Sequence, residues 1–361
     1  MTRPISRPGR NARRIFVALI IIVAGAFSLL LGPGLWERLQ TPRQGQGQGQ
    51  ALETVPVYSS DHPMMGTKAR IVVYATDLKK GEIAIKAAFD RADEIGFICS
   101  DYNPESELMR LCRGPVNEPI PVSRTLATVL THAHSIAETT EGAFDPTLGG
   151  FTKLWRRSKR KNALPDPSLL EKARNAAGWT KFDVFLEQQT VIVKDENLLF
   201  DLGGIAKGYA ADEMLRVIKA HGISSAMVAV AGDVRLGSPP PGRSGWAVGI
   251  RTLGADVEQV MHVANCAVST SGDIERYVDI EGTRYSHIID PDTGIGLTQR
   301  IAATVVAPTA VQSDPLATFC CIEPRFASKI FAAGEISCRI VTLGDGPFDQ
   351  RTQQFPPLTR P

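Results

Sequence analysis

The sequence predicts an α+β fold, with a mixed, largely antiparallel sheet flanked by helices and one transmembrane helix at the N-terminus. Three observations support this prediction. Segments with a helical apolar period lie mainly before residue 220, strand-like segments are densest after 225, and an uncharged run stands near the N-terminus. The 361 residues are 43% hydrophobic and 22% charged, which excludes a disordered, collagen-like or disulfide-dense miniature protein.

The uncharged run is the first element. Residues 15–31 carry no charge, and with 32–36 they reach the roughly 20 residues that a membrane-spanning helix needs. Five arginines precede the run, so 1–14 is expected in the cytoplasm and everything after 36 on the other side. A cleavable signal peptide is the competing interpretation, and the Arg pair before the run also leaves twin-arginine export open. Residues 37–54, rich in Gln and Gly, are expected to be a flexible tether.

The charge is distributed unevenly between this segment and the body. The chain has a formal net charge of +2, yet residues 1–52 carry seven Arg and one acidic residue. The rest of the chain therefore has a net charge of −4. Because nucleic-acid binding requires a basic face, no nucleic-acid partner is expected.

The first half of the body is mainly helical in pattern. Residues 66–75 alternate as in a strand, and 80–98 carry apolar residues at intervals of three and four, as in a helix. Ser123 is a suitable N-cap for a helix that runs to about 140 and stops before Gly142. A further helix is expected over 165–178, with proline near its start and glycine at its end.

The second half is richer in strands. Strands are expected at 190–194, 197–201, 225–231, 246–251, 257–264, 266–270, 283–290, 300–307 and 338–343, and helices at 205–220, 314–321 and 324–333. The folded domain is therefore expected to cover 55–346. Residues 347–361 are polar and rich in proline, and a loose tail is expected there.

Six cysteines lie in this body. An exported domain permits disulfides, but the spacing favours buried small apolar side chains, and a Cys99–Cys112 bridge is left open.

The densest chemical signal is the stretch DLGGIAKGY at 201–209, between an apolar strand and a helix. Its glycines allow close approach of a ligand, and the free N–H groups of a helix start suit a phosphate. Lys207 would be unfavourable in the first helical turn unless an anion compensates it. A tight turn with a surface lysine is the equally weighted alternative.

A second signal lies in the stretch PTAVQSDPLAT at 308–318. Pro315 suits the first position of a helix, which makes Asp314 its N-cap. Capping alone would account for Asp314. Thr318, however, lies one turn later on the same face, and the two side chains offer hard oxygens suitable for Mg²⁺.

A third signal is the pair of stretches STSGD (269–273) and RYSHIIDPDTG (284–294). A strand over 283–290 would deliver His287 on one face with Tyr285 and Ile289. A histidine on a strand is more often structural than catalytic, so both interpretations stand.

Taken in order, these motifs closely resemble the FAD:protein FMN transferases, the ApbE family. The resemblance spans 64–318 and is carried by MMGT (64–67), SDYNPESEL (100–108), GAFDPTLGG (142–150), DLGGIAKGYAAD (201–212), STSGDIERY (269–277), YSHIIDPDTG (285–294) and APTAVQSDPLAT (307–318). One departure is Val230-Ala231-Gly232-Asp233, where the family often has two adjacent glycines.

The resemblance implies an ApbE-like fold that binds FAD as substrate together with Mg²⁺. It implies transfer of FMN to a Thr or Ser hydroxyl of an acceptor protein through a phosphoester bond, with release of AMP. A FAD pyrophosphatase that yields FMN and AMP is the alternative. By motif, the implied residues are His287 at the pyrophosphate, Gly204, Asp314 and Thr318 around the metal, and Met65, Tyr102, Ala143, Phe144, Asp145, Asp201, Lys207 and Ile289 around FAD.

Together with the predicted anchor, the resemblance implies a single-pass protein of the bacterial inner membrane, with its catalytic domain on the periplasmic side. The implied acceptors are flavoprotein subunits of membrane electron-transfer complexes or respiratory maturation proteins, which an enzyme on a flexible tether could reach.

Overall fold

The computed structural model describes residues 54–59, 61–251, 253, 257–273, 276–331, 335–344 and 350–355. The predicted cytoplasmic segment, the predicted span over 15–36 and all but the last residue of the predicted tether lie outside these ranges. Among the described residues, no helix is long and apolar enough to cross a membrane.

A nine-stranded sheet organises the body, and every strand pair in it is antiparallel, so the predicted antiparallel character is confirmed but the sheet is not mixed. The sixteen strands of the described residues are β1 (Val55–Tyr58), β2 (His62–Met64), β3 (Thr67–Ala75), β4 (Pro119–Pro121), β5 (Phe182–Phe185), β6 (Thr190–Val193), β7 (Ala226–Val230), β8 (Asp233–Leu236), β9 (Trp246–Ile250), β10 (Gln259–Val263), β11 (Ala267–Gly272), β12 (Tyr277–Ile280), β13 (Thr283–Ser286), β14 (Ile301–Ala307), β15 (Ser337–Leu343) and β16 (Gln350–Phe355). The main sheet runs β1-β3-β7-β8-β11-β14-β15-β16, and β2 pairs with β3.

The helices are α1 (Leu78–Ile98), α2 (Glu107–Leu111), α3 (Arg124–Thr139), α4 (Gly149–Lys161), α5 (Pro167–Ala176), α6 (Ala206–Ala220), α7 (Ala310–Ile322) and α8 (Ala327–Phe331). Ser123 caps α3 as expected, because its hydroxyl accepts from the backbone N–H of Leu126 at 3.1 Å.

The alternation of β3 explains how the sheet is covered. Ala69, Ile71 and Val73 face the large core between the sheet and the helices. Val72 and Tyr74 face the other side, in a smaller core that includes Trp246 of β9. The sheet therefore buries both faces through the period of two of its strands.

Several sequence predictions differ from the structure. Residues 197–201 form no strand; only an isolated parallel bridge joins Leu148 and Leu199 there. Helix α4 was not predicted, because its basic second half hides the apolar period of Phe151 and Trp155. The predicted loose tail is wrong over residues 350–355, where β16 extends the sheet by pairing with β15.

Helix α7 begins earlier than predicted. It starts at Ala310, so Asp314 is not its N-cap, and Pro315 lies inside the helix. The cause is tertiary: the carboxylate of Asp212 in α6 accepts from the backbone N–H groups of Ala310 and Val311 at 3.1 and 2.8 Å. These groups are normally satisfied by a local cap, so a carboxylate supplied by another helix lets α7 begin without one.

Gly208 sets the closeness of α6 and α7. A Cβ at this position would lie 2.2 Å from the carbonyl oxygen of Ala310 and 2.9 Å from the Cβ of Asp314. We therefore expect Gly208→Ala to lower the free energy of unfolding by about 1–3 kcal/mol, because the two backbones must separate. Thermal denaturation of the variant measures the loss.

The matched control is Gly96→Ala in α1. A Cβ there would meet only the flexible side chain of Met65, at 3.5 Å. Since alanine favours helix over glycine, this variant should be neutral or about 0.5–1 kcal/mol more stable. Equal melting temperatures for the two variants would contradict a tight contact at Gly208.

The six cysteines are free thiols in the structure, and Cys99, Cys320, Cys321 and Cys338 are buried. The Cys99–Cys112 bridge that the sequence left open is not formed. The sulfur atoms of Cys320 and Cys338 lie 3.4 Å apart, between α7 and β15.

Candidate active site

The turn before α6 is held by the carboxylate of Asp201. Its Oδ1 accepts from the backbone N–H of Gly203 at 2.8 Å, and its Oδ2 accepts from the hydroxyl of Thr152 at 2.7 Å. Sequence reasoning missed Thr152, although it lies just past the GAFDPTLGG stretch. Asp201 thus ties the glycine turn to α4 and fixes the direction in which α6 begins.

Lys207, in the first turn of α6, points back into this turn. Its ammonium group donates to the carbonyl of Gly203 at 2.8 Å and lies 3.0 Å from Asp314 Oδ2 and 3.5 Å from Asp233 Oδ2. Burial alone would lower the pKa of Lys207, but the carboxylates of Asp314 and Asp233 outweigh it, and the pKa is raised. The lysine is therefore a firmly charged cation at the helix start, not a loose surface side chain.

Asp314 and Thr318 lie one turn apart in α7, as predicted. Asp314 Oδ2 accepts from the backbone N–H of Gly208 at 3.0 Å, and the Thr318 hydroxyl lies 3.2 Å from that of Ser271. A Cβ on Gly204 would lie 3.9 Å from Thr318 Oγ1, so the glycine turn faces this hydroxyl. A carboxylate, a hydroxyl and the backbone of a glycine turn thus meet beside a lysine.

Asp233 is the residue of this cluster that sequence reasoning missed. It is the first residue of β8 and is almost fully buried. Burial, and then the negative charge of Asp314, raise the pKa of Asp233. The signal in the sequence is the stretch Val230-Ala231-Gly232-Asp233, where the family often has two adjacent glycines. Ala231 in this stretch adopts a positive φ of 50°.

His287 follows β13 directly, since that strand ends at Ser286 and not at 290 as predicted. The expected shared face is not formed: Tyr285 and Ile289 are buried, while the His287 side chain opens to solvent. The carbonyl of Arg276 accepts from the backbone N–H of His287 at 2.9 Å and lies 3.1 Å from its Nδ1.

This arrangement determines the state of the imidazole. The protein atoms around the solvent-facing ring still remove part of its hydration, and this desolvation, followed by the positive charges of Arg276, Lys207 and Lys159, lowers the pKa of His287 to about 4. The ring is therefore neutral at pH 7. With its Nδ1–H directed at the Arg276 carbonyl, Nε2 carries the free lone pair.

The GAFDPTLGG loop forms a wall of the site. The Phe144 ring is buried beside the turn, 3.2 Å from where a Cβ on Gly204 would stand, and Ala143 packs against the large core. Asp145 accepts from the Thr147 N–H and hydroxyl with one oxygen and from the Trp179 N–H with the other. Its carboxylate thus holds the loop that places Phe144.

The remaining predicted FAD contacts differ in how far they are buried. Tyr102 is 75% exposed, with the guanidinium of Arg156 3.7 Å above its ring. Met65 occupies the turn between β2 and β3 with a φ of 45° and packs toward Gly96. Ile289 is buried in a small apolar cluster with Phe151 and Trp155 of α4. Their contact with FAD stays a prediction.

Comparison with known proteins adds the family. The model of the ApbE family matches residues 65–339. The FAD:protein FMN transferase of Treponema pallidum is 32% identical over 294 residues, which cover 76% of this chain and 81% of that protein. The FAD:protein FMN transferase of Escherichia coli K12 is 30% identical over 258 residues, covering 69% and 74% of the two chains.

Solved structures agree with this assignment. The ApbE protein of Thermotoga maritima superposes with a TM-score of 0.74 at 28% identity and covers 84% of this chain and 97% of its own. The flavin transferase ApbE of Vibrio cholerae has the same TM-score and the same coverage at 26% identity.

The cluster around the glycine turn thus lies in a fold shared with flavin transferases, and the relatives match across most of the body. The chain belongs to the ApbE family and is an enzyme of the FAD:protein FMN transferase type.

Proposed function

We propose that the chain transfers FMN from FAD to a Thr or Ser hydroxyl of an acceptor protein in a Mg²⁺-dependent reaction, forming a phosphoester and releasing AMP. One observation carries the proposal. Asp314 and Thr318 meet the Gly204 turn beside Lys207. The charge of that lysine contributes to the lowered pKa of His287, which keeps the imidazole neutral.

The side chains fit a magnesium ion. Mg²⁺ is usually held by one or two carboxylates, neutral oxygens and substrate phosphates, and Asp314, Thr318 and the Gly204 carbonyl offer such a set. Asp314 already attracts two donors, the Lys207 ammonium and the Gly208 N–H. When bound, Mg²⁺ would neutralise the pyrophosphate and stabilise the charge that develops on the leaving AMP.

The chain's own residues supply the remaining steps. The ammonium group of Lys207 would hold the pyrophosphate oxygens. Nε2 of His287 would take the proton of the acceptor hydroxyl as its oxygen attacks the phosphorus of the FMN half. One P–O bond then forms to the acceptor while the bond to AMP breaks, and AMP leaves with the electron pair.

The test uses the purified full-length protein with FAD, MgCl₂ and a candidate acceptor protein. Intact-mass and peptide mass spectrometry should show FMN on one Thr or Ser of the acceptor, with an equal amount of AMP released. Adding excess EDTA should abolish both products. FMN and AMP without any adduct would show that water is the acceptor and would favour the pyrophosphatase alternative.

We also propose that the catalytic domain works on the periplasmic side of the inner membrane, where the acceptors would be subunits of electron-transfer complexes or respiratory maturation proteins. The support is the uncharged run 15–31 behind five arginines. Protease added outside spheroplasts should digest the body. Digestion only after lysis would contradict this topology.

A further inference from the structure

The second half of α4 carries a concentrated positive charge. We define the basic end of α4 as Arg157, Lys159, Arg160 and Lys161, all of which are exposed. No Asp or Glu occurs between residues 146 and 165. Among the described residues, the ion pair of this helix is Arg156–Asp101 at 2.6 Å, and none involves the four cations of the basic end.

A helix end explains this charge only in part. The helix dipole favours cations in the last turn, but four unpaired cations within five residues also repel one another. They lie on a body whose net charge is −4. An anionic partner would therefore gain from contact with the basic end without displacing any carboxylate of the chain itself.

Packing places the basic end beside the proposed catalytic base. Phe151 and Trp155 bury the other face of α4 against the His287 segment, and the Trp155 ring lies 5.5 Å from that of Tyr285. The charge of Lys159 is one of those that lower the pKa of His287. A protein segment whose hydroxyl reaches Nε2 of His287 would therefore pass close to Lys159, the cation of the basic end that acts on this imidazole.

We propose that the basic end of α4 is the docking surface for an acidic segment of the acceptor protein, flanking the hydroxyl that receives FMN. This inference rests on the proposed function for the identity of the partner. Such a surface would orient the acceptor and raise its local concentration through charge attraction that weakens as salt rises.

The test compares two charge-reversal variants of the full-length protein. The first is Lys159→Glu/Arg160→Glu/Lys161→Glu. The matched control is Lys79→Glu/Lys80→Glu/Lys219→Glu. Lys79 and Lys80 lie in the first turn of α1, and Lys219 lies in the last turn of α6, about 18 Å along that helix from Lys207. Binding of fluorescent octaglutamate is followed by anisotropy at several salt concentrations, and FAD binding is titrated in parallel.

We expect wild type and control to bind octaglutamate with an affinity that falls as salt rises, and the α4 variant to bind about tenfold or more weakly. All three proteins should bind FAD equally, which also shows that the fold is intact. Octaglutamate should slow labelling of the acceptor by wild type.

Equal peptide binding by all three proteins would overturn the proposal. The proposal would also be overturned if the α4 variant lost FAD affinity by the same factor as octaglutamate affinity, because the cations would then belong to the FAD site. Capture of phosphatidylglycerol vesicles without peptide binding would assign the surface to lipid instead. An acceptor that never gains FMN, with peptide binding intact, would count against the proposed function alone.

Discussion

Replacing Asp314 by asparagine is expected to slow Mg²⁺-dependent FMN transfer by about 100-fold or more, since the proposed metal would lose its only charged protein ligand. The side chain keeps its size and one oxygen that can accept from the Gly208 N–H. Lys207 keeps Asp233 as a partner. The fold should therefore survive, and transfer is measured as FMN adduct formed per minute over a range of MgCl₂ concentrations.

Two further measurements separate metal loss from misfolding. MgCl₂ should raise the melting temperature of wild type, because a ligand that binds only the folded state stabilises it, and this rise should vanish in Asp314→Asn. Asp90→Asn, which alters an exposed carboxylate paired with Lys86, should behave as wild type in both measurements. A wild-type Mg²⁺ response in Asp314→Asn would defeat the metal assignment.

Replacing His287 by alanine is expected to slow transfer by about 10²- to 10⁴-fold, the range for loss of a general base. Binding of FAD should change little. Because the side chain opens to solvent, added imidazole should restore part of the rate. A variant that transfers FMN as fast as wild type would leave His287 without a role as base.

The pH profile of wild type gives a second test of His287. A base acts in its deprotonated form, and the pKa of this imidazole is lowered to about 4, so activity should persist as pH falls through 6.5 and be lost only near 4. The same shift means that the unfolded chain binds more protons between these values, so this group lowers stability as pH falls across that window. Half-loss of activity near pH 6.5 in stably folded protein would contradict the lowered pKa.

Much of the fold was predictable from short-range signals. The period of β3 and the cap at Ser123 are local, so each is visible in the residues that form it. The start of α7 was not predictable from nearby residues, because its cap comes from Asp212, about 100 residues away in the chain. Strand β16 and helix α4 likewise depend on the elements they pack against, and a short stretch of sequence does not show which elements those are.

The site shows the same division. The pairing of Asp314 with Thr318 follows from helical spacing, and the Lys207 turn follows from its glycines. That Lys207 bridges Asp314 and Asp233 could not be predicted, since it requires α6, α7 and β8 to be placed first. Likewise, the backbone of Arg276, which orients the His287 ring, carries no signature in the sequence.

The external cap on α7 has a consequence for how the enzyme is inactivated. Three residues of α6 contact α7: Lys207, Gly208 and Asp212. Lys207 and the Gly208 N–H bind the carboxylate of Asp314, and Asp212 accepts from the first turn of α7. If α7 opens from its first turn, the proposed metal ligands separate in the same event. The rate of amide hydrogen exchange in 310–318 should then match the rate at which activity is lost under mild denaturant. Local opening and inactivation would then form one cooperative transition.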